Sequence, residues 1–215
     1  MSIGSHVAVL PNIDTTYLNS SMIEEGAVKP MPHSFLQSLP HQVIQVWCVR
    51  NGLYTVATLE LIDWLKNKIN GRRAIEIGSG KCGIGRALVI PSTDNYCQTL
   101  PEIRAYYAAL GQAVIEPPSF VEKIEAEEAV AKYKPEVVIG SFITQRYREG
   151  DIDGNMYGPD EESWLGKVEY IHIGNETTHK NKRILKYNHD TFKAPWLVSR
   201  AVYQSQNVIW TWPMA

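Results

Sequence analysis

Between Arg73 and Leu88 the chain reads RAIEIGSGKCGIGRAL, a short apolar run holding one acid that breaks into four glycines within eight positions. This stretch constrains the fold most, because glycine at such spacing after a strand marks backbone that turns tightly and lets another group come close. A helix beginning there offers unpaired N–H groups and the positive end of its dipole to a ligand. Gly78-x-Gly80-x-x-Gly83 matches the dinucleotide-binding spacing, and Asp94 follows 16 positions after Gly78, near where such folds place a carboxylate for ribose hydroxyls. A plain tight turn is the competing explanation.

The chain has 215 residues, 44% hydrophobic and 20% charged, enough for one sizeable core and short for two domains. Its formal charge of -2 supplies no field that would draw it to nucleic acid or an anionic membrane. Cys48, Cys82 and Cys97 form no C-x-x-C pair and stand beside no histidine at ligand spacing, which argues against a disulfide framework or a zinc site. Charged or turn residues interrupt every apolar run before membrane-spanning length, and the first residues lack the features of a secretion signal. A cytoplasmic setting is the expectation.

Residues 1–45 read as an N-terminal arm or cap and 46–215 as one α/β domain. Three prolines in VKPMPHSFLQSLP disfavour regular structure in the arm, for which a homodimer contact, a substrate lid and simple packing are all open roles. HQVIQVWCVRNG reads as a short extended segment closed by an Asn-Gly turn. In TVATLELIDWLKNKING, Leu59, Ile62, Leu65 and Ile69 fall at helical spacing, Thr58 is placed to cap the start and Asn70-Gly71 to end it. RAIEI is then a strand, a helix is expected from about Gly83 to Leu88, and LVIPS is a second short strand. LPEIRAYYAALGQ and SFVEKIEAEEAVAKYKP read as helices, with AVIE a third strand between them. PEVVIGSFIT is the clearest buried strand. KVEYIHIG, WLVSRAVY and NVIWTW follow as strands, the last two so close that they read as an antiparallel hairpin. Trp210 and Trp212 alternate along NVIWTW and belong on one face, under a helix.

Glu76 sits two residues before Gly78, so the motif reads E-x-G-x-G, and the sheet is expected to close with a hairpin instead of a second mononucleotide-binding half. In these features the sequence resembles the class I S-adenosylmethionine-dependent methyltransferases, over roughly residues 53–212 and most specifically in AIEIGSG. The resemblance implies a doubly wound, mostly parallel Rossmann-like sheet with an antiparallel C-terminal hairpin, and S-adenosylmethionine as cofactor. It assigns Gly78, Ser79 and Gly80 to the loop over the methionine part and Glu76 to orienting that loop or the amino group. Asp94 falls to the ribose, and Ser141, Phe142 and Ile143 lie beside the methyl group. Tyr54 and Thr58 would cover the cofactor, and Glu116 is the candidate adenine contact. The chain departs from the exocyclic-amine enzymes, having SFITQRY where they carry Asp or Asn, Pro-Pro and an aromatic. It departs from the cytosine-C5 enzymes in having no cysteine after proline.

Methyl transfer from a sulfonium releases a neutral leaving group, so alignment matters more than acid–base machinery. If the acceptor must lose a proton, His172 and His179 are the candidate bases, each with a structural role as the competing explanation. Arg146, Tyr147 and Tyr157, in the loop after PEVVIGSFIT, are candidates for binding the acceptor, with Arg146 favouring an anionic one. Lys180, Lys182, Arg183 and Lys186 form a basic run that reads as a solvated face more readily than as a phosphate track. Trp164 is a candidate stacking residue. The expected function is methyl transfer to an unidentified acceptor. The alternatives are a non-catalytic binding protein built on the same pocket, or a nucleotide-cofactor enzyme with another reaction.

Overall fold

The computed structural model describes residues 11–215, so the first ten residues of the expected arm lie outside the described part. Seven strands bear on the site: β1 Ala74–Ile77, β2 Thr93–Asp94, β3 Glu122–Lys123, β4 Val137–Ser141, β5 Glu169–Asn175, β6 Asp190–Phe192 and β7 Asn207–Trp212. Five of them form one sheet in the order β1-β4-β5-β7-β6. The β1/β4 and β4/β5 contacts are parallel, whereas β5/β7 and β7/β6 are antiparallel. β2 and β3 make a separate parallel pair that meets β1 through one bridge, Glu76 to Ser92. This mixed sheet corrects the expectation of a doubly wound, mostly parallel Rossmann-like one.

The expected C-terminal hairpin is corrected as well. Val198–Ser199 pairs with Thr55–Val56, and β7 instead runs between β5 and β6. Every residue of β7 is buried, so the strand needs neighbours on both edges and cover on both faces. β6 is short and exposed, an edge strand with no apolar run to announce it.

Six helices accompany these strands: α1 His41–Arg50, α2 Leu59–Ile69, α3 Gly83–Leu88, α4 Pro101–Ala109, α5 Ala126–Tyr133 and α6 Glu176–His179. α1 replaces the expected extended segment, because Ile44, Trp47 and Cys48 are buried at helical spacing. Short helices at Asn19–Met22 and His33–Gln37, with the strand pair Ile23–Glu24 and Ala27–Val28, also give regular structure to a region expected to lack it. α2 follows its sequence signals except at Leu59, which is exposed at the first turn while Leu61 is buried in the stripe. Thr58 Oγ1 accepts the Leu61 N–H at 3.1 Å, Asn70 ends the helix in a left-handed conformation, and Leu61, Ile62, Leu65 and Ile69 are buried.

α3 ends at Leu88 and is closed by Val89, left-handed and exposed, so LVIPS is not a strand and β2 begins only at Thr93. AVIE is likewise irregular. The third strand is Glu122–Lys123, within residues expected to be helical, and α5 starts only at Ala126.

Alternate residues of the sheet enter different cores. Val137, Ile139, Ile171, Ile173 and Ile209 pack with Leu61, Ile62, Leu65 and Ile69 of α2. Val138, Tyr170, Val208, Trp210 and Trp212 pack with Ala129 of α5 and with Trp164 and Ile184. Trp210 and Trp212 therefore share a face as expected. Their cover includes a single-turn 3-10 helix, Arg183–Lys186, since Trp212 Nε1 donates to Ile184 O at 3.1 Å. Trp164 is buried edge-on to Tyr170, in the core and away from any stacking role.

Candidate functional site

The C-terminal ends of β1 and β4 open onto a cleft with two joined compartments. The wider, about 900 Å³ including its open mouth, takes in Tyr54, Gly78, Asp94, Gln98, Ser141 and Phe142. The narrower, in front of the glycine loop, takes in Gly78, Ser79, Gly80 and Lys81. Tyr54, Gly78, Ile115 and Ser141 belong to both, so one elongated ligand could span them.

The loop owes its shape to two carboxylates. Gly78 and Gly80 have φ of +54° and +51°, a region glycine enters without strain, and a Cβ on Gly80 would lie 3.2 Å from Ile115 Cγ2. On the cleft side, Asp94 Oδ2 accepts the Gly80 N–H at 3.0 Å and Oδ1 the Tyr96 N–H at 2.7 Å. Burial raises the Asp94 pKa against the opposing pull of these two bonds. Behind the loop, Glu76 Oε2 accepts the Gly85 N–H at 2.9 Å and a longer bond from Ser92 Oγ at 3.3 Å. Burial pushes the Glu76 carboxyl up to about 8, despite those two bonds. Glu76 thus holds the loop and the start of α3 from below. Gly85 is obligatory there, because a Cβ would meet Ser92 Oγ at 1.9 Å and Glu76 Oε2 at 2.7 Å.

The β4 end is shaped from further away in sequence. Phe142 takes a left-handed conformation, φ +54°, as the chain leaves the sheet, and its N–H donates to Ile173 O at 2.8 Å. Such strain in a residue with a side chain persists only where neighbours impose it. Lys182, buried, donates to Ile143 O at 2.8 Å and lies 2.6 Å from Glu161 Oε2. Tyr170 donates its hydroxyl to Glu161 Oε1 at 2.6 Å. Burial lowers the Lys182 pKa, with Glu161 opposing it. Gln145 ties the following loop down, donating to Asp153 O at 2.9 Å and accepting the Arg183 N–H at 2.7 Å.

Of the residues singled out from the sequence, Gly78, Ser79, Gly80, Asp94, Ser141, Phe142, Tyr54 and Tyr157 meet at this cleft. Thr58 instead caps α2, and Glu116 is ion-paired with Arg104 at 2.8 Å. Neither histidine reaches the cleft. His172 is fully buried, stacked on Trp210, and His179 accepts the Asn175 N–H at 3.0 Å while its ring meets Phe142 edge-on. Burial depresses both, His172 well below the usual histidine range and His179 to about 3.

Arg146 spends its charge on Glu127 at 2.8 Å and its Nε–H on Gly158 O at 2.9 Å. Tyr147 is exposed on the loop, and Tyr157 reaches the wider compartment with its hydroxyl 3.3 Å from Glu102. The basic run is broken up: Lys182 is interior, Arg183 pairs with Asp151 and Glu162, and Lys186 pairs with Glu162 at 3.0 Å.

Sequence reasoning passed over Gln98, whose Oε1 accepts the Ile115 N–H at 2.8 Å, and Tyr107, whose hydroxyl lies 2.8 Å from that of Tyr54. A polar residue just before a proline-started helix was the only signal for the first; the second had none. Among the described residues no group of three or more His, Cys, Asp or Glu could hold a metal, and no helix is long and apolar enough to cross a membrane. No family model matches the chain, and no curated protein matches it significantly.

Proposed function

We propose that the cleft binds S-adenosylmethionine and that the protein transfers its methyl group to a small acceptor. The observation that carries this reading is the glycine loop set between Asp94 and the end of β4, where Ser79 Oγ and Ser141 Oγ are buried without any hydrogen-bond partner. Buried hydroxyls are normally paired, so two orphans beside one loop suit a polar ligand.

The residues present fit that cofactor. Asp94 keeps lone pairs after accepting two backbone N–H groups, enough to take ribose hydroxyls. Gly78 and Gly80 let the ligand approach the backbone, and the Ser79 and Ser141 hydroxyls meet its polar tail. Ile115, Ile143 and Phe142 supply apolar walls that exclude water from the transfer region. The cofactor supplies an electrophilic methyl group on sulfur. Because no His or Lys borders the wider compartment, the reading favours an acceptor that is nucleophilic without a strong protein base.

Calorimetric titration with S-adenosylmethionine, S-adenosylhomocysteine and NAD tests the reading. Binding of the first two and not NAD, abolished by Gly80→Val, is the expected result. Absence of binding by either sulfur compound would overturn it.

A further inference from the structure

Behind Tyr54, a residue that borders both compartments, stands a cation that no described residue neutralises, although Arg200 itself lines neither compartment. Arg200 follows Val198–Ser199, and its backbone N–H donates to Tyr54 O at 3.0 Å. Its guanidinium carbon lies 4.0 Å over the centre of the Tyr54 ring. Stacking of this kind uses the face of the guanidinium and leaves its in-plane N–H donors available. Among the described residues no carboxylate lies within 4.0 Å of Arg200, and its side chain makes no hydrogen bond. Arg146, Arg104 and Arg183 by contrast are all paired.

Two phenols adjoin this cation. The Tyr54 and Tyr107 hydroxyls are 2.8 Å apart, and both residues border the wider compartment. One proton occupies the space between two phenol oxygens, so the second hydroxyl proton is free to point outward. Burial, and then the Tyr54 neighbour, raise the Tyr107 pKa, and the positive charge of Arg200 opposes that rise. The guanidinium over the Tyr54 ring and the spare donor of the Tyr54–Tyr107 hydroxyl pair are together a donor set for an anion. The narrower compartment has a separate cation, Lys81, next to the glycine loop where the amino-acid tail of a cofactor would end.

We propose that Arg200, with the Tyr54–Tyr107 hydroxyl pair, anchors a carboxylate or phosphate group carried by the methyl acceptor, an assignment that rests on the methyl-transfer reading above. Tyr54 then has two roles, bordering the cofactor with its ring and completing the anion site with its hydroxyl.

The test separates the acceptor from the cofactor's own carboxylate. Inorganic phosphate is titrated into protein saturated with S-adenosylhomocysteine, following tyrosine difference absorbance, for the wild type, Arg200→Met, Arg200→Lys and Tyr107→Phe. Expected are saturable binding by the wild type, roughly tenfold weaker binding by Arg200→Met, partial rescue by Arg200→Lys and a roughly threefold loss for Tyr107→Phe. Affinity for S-adenosylhomocysteine should fall less than phosphate affinity in each variant. Equal phosphate binding by wild type and Arg200→Met would overturn the site. Should Arg200→Met fail to fold, Arg200→Gln, which keeps a planar amide over the ring, takes its place with the same expected loss. If loss of Arg200 weakens S-adenosylhomocysteine as much as phosphate but leaves methylthioadenosine, which lacks the amino-acid tail, unaffected, Arg200 serves the cofactor and the acceptor assignment falls. If neither sulfur compound binds the wild type, the methyl-transfer reading and the acceptor assignment fall together. Phosphate titrated into the protein alone then still decides the anion site.

Discussion

The two strand ends that wall the cleft are built by different means. At β1 the backbone turns through glycines and is held by Glu76 and Asp94, both within 16 residues of the loop they hold. At β4 there is no glycine at the turn itself. Phe142 is forced into a left-handed conformation, and the chain beyond it is fixed by Glu161, Lys182 and Gln145 partners drawn from the 151–183 region. The first wall is stabilised by backbone N–H groups donating to carboxylates and the second by a buried ion pair, so they should fail differently.

The largest effect is expected at the β4 wall. Lys182→Met leaves Glu161 buried without its cation and should destabilise the protein by about 3–5 kcal/mol in urea unfolding. Adding Glu161→Gln should recover most of the loss. A single-variant change below about 1 kcal/mol would mean the pair does not hold this wall.

The β1 wall should reveal itself through pH. Because burial raises the folded-state Glu76 pKa to about 8, its contribution is present at low pH and lost as pH rises from about 5 through 8. Glu76→Gln keeps an acceptor for Gly85 and cannot ionise. The fall in its stability between about pH 6.5 and 8 should disappear, with a gain at pH 8.5 of at least about 2 kcal/mol relative to wild type. His179, depressed to about 3, acts in the opposite sense, its stability being lost as pH falls below about 6.5, so the acid side of the profile should be unchanged in the variant. An identical alkaline slope in both proteins would remove Glu76 from this role.

Smaller still is the effect expected of Asp94→Asn, which retains one acceptor oxygen. It should weaken S-adenosylmethionine roughly tenfold in calorimetry as the ribose hydroxyls lose a charged acceptor, and destabilise by about 1 kcal/mol because one of the Gly80 and Tyr96 N–H groups loses its acceptor. Silence of Asp94→Asn would remove only the ribose assignment. Arg146→Gln closes the series. With its guanidinium already committed to Glu127 and Gly158, it should alter ligand affinity by less than about threefold.

The same contrast explains what was legible in the sequence. The glycine loop, Asp94 and helix α2 were readable because their determinants are local: spacing, a cap, a turn residue. The buried strands β4, β5 and β7 were readable as apolar runs, but their partners were not, since β7 pairs with β5 and β6 instead of the adjacent Val198–Ser199. Pairing is a property of the whole sheet, and residues 198–199 are taken up by Thr55–Val56. His172, Lys182 and Arg146 read as a candidate base, a solvated charge and an acceptor ligand. Their actual roles depend on Trp210, Glu161 and Glu127, between 19 and 38 residues distant in the chain, which no local pattern announces.

The position of β7 also sets an order of events during synthesis. Residues 169–175 are made before 207–212 and present an unpaired backbone edge that those residues close, and β6 has no neighbour in the sheet until they arrive. Until the ribosome has released Trp212, the nascent chain carries an unsatisfied strand edge that invites pairing with other chains. Whatever delays the emergence of residues 207–212 once β5 is outside the ribosome should therefore raise the share of aggregated product without changing the stability of the protein that escapes it.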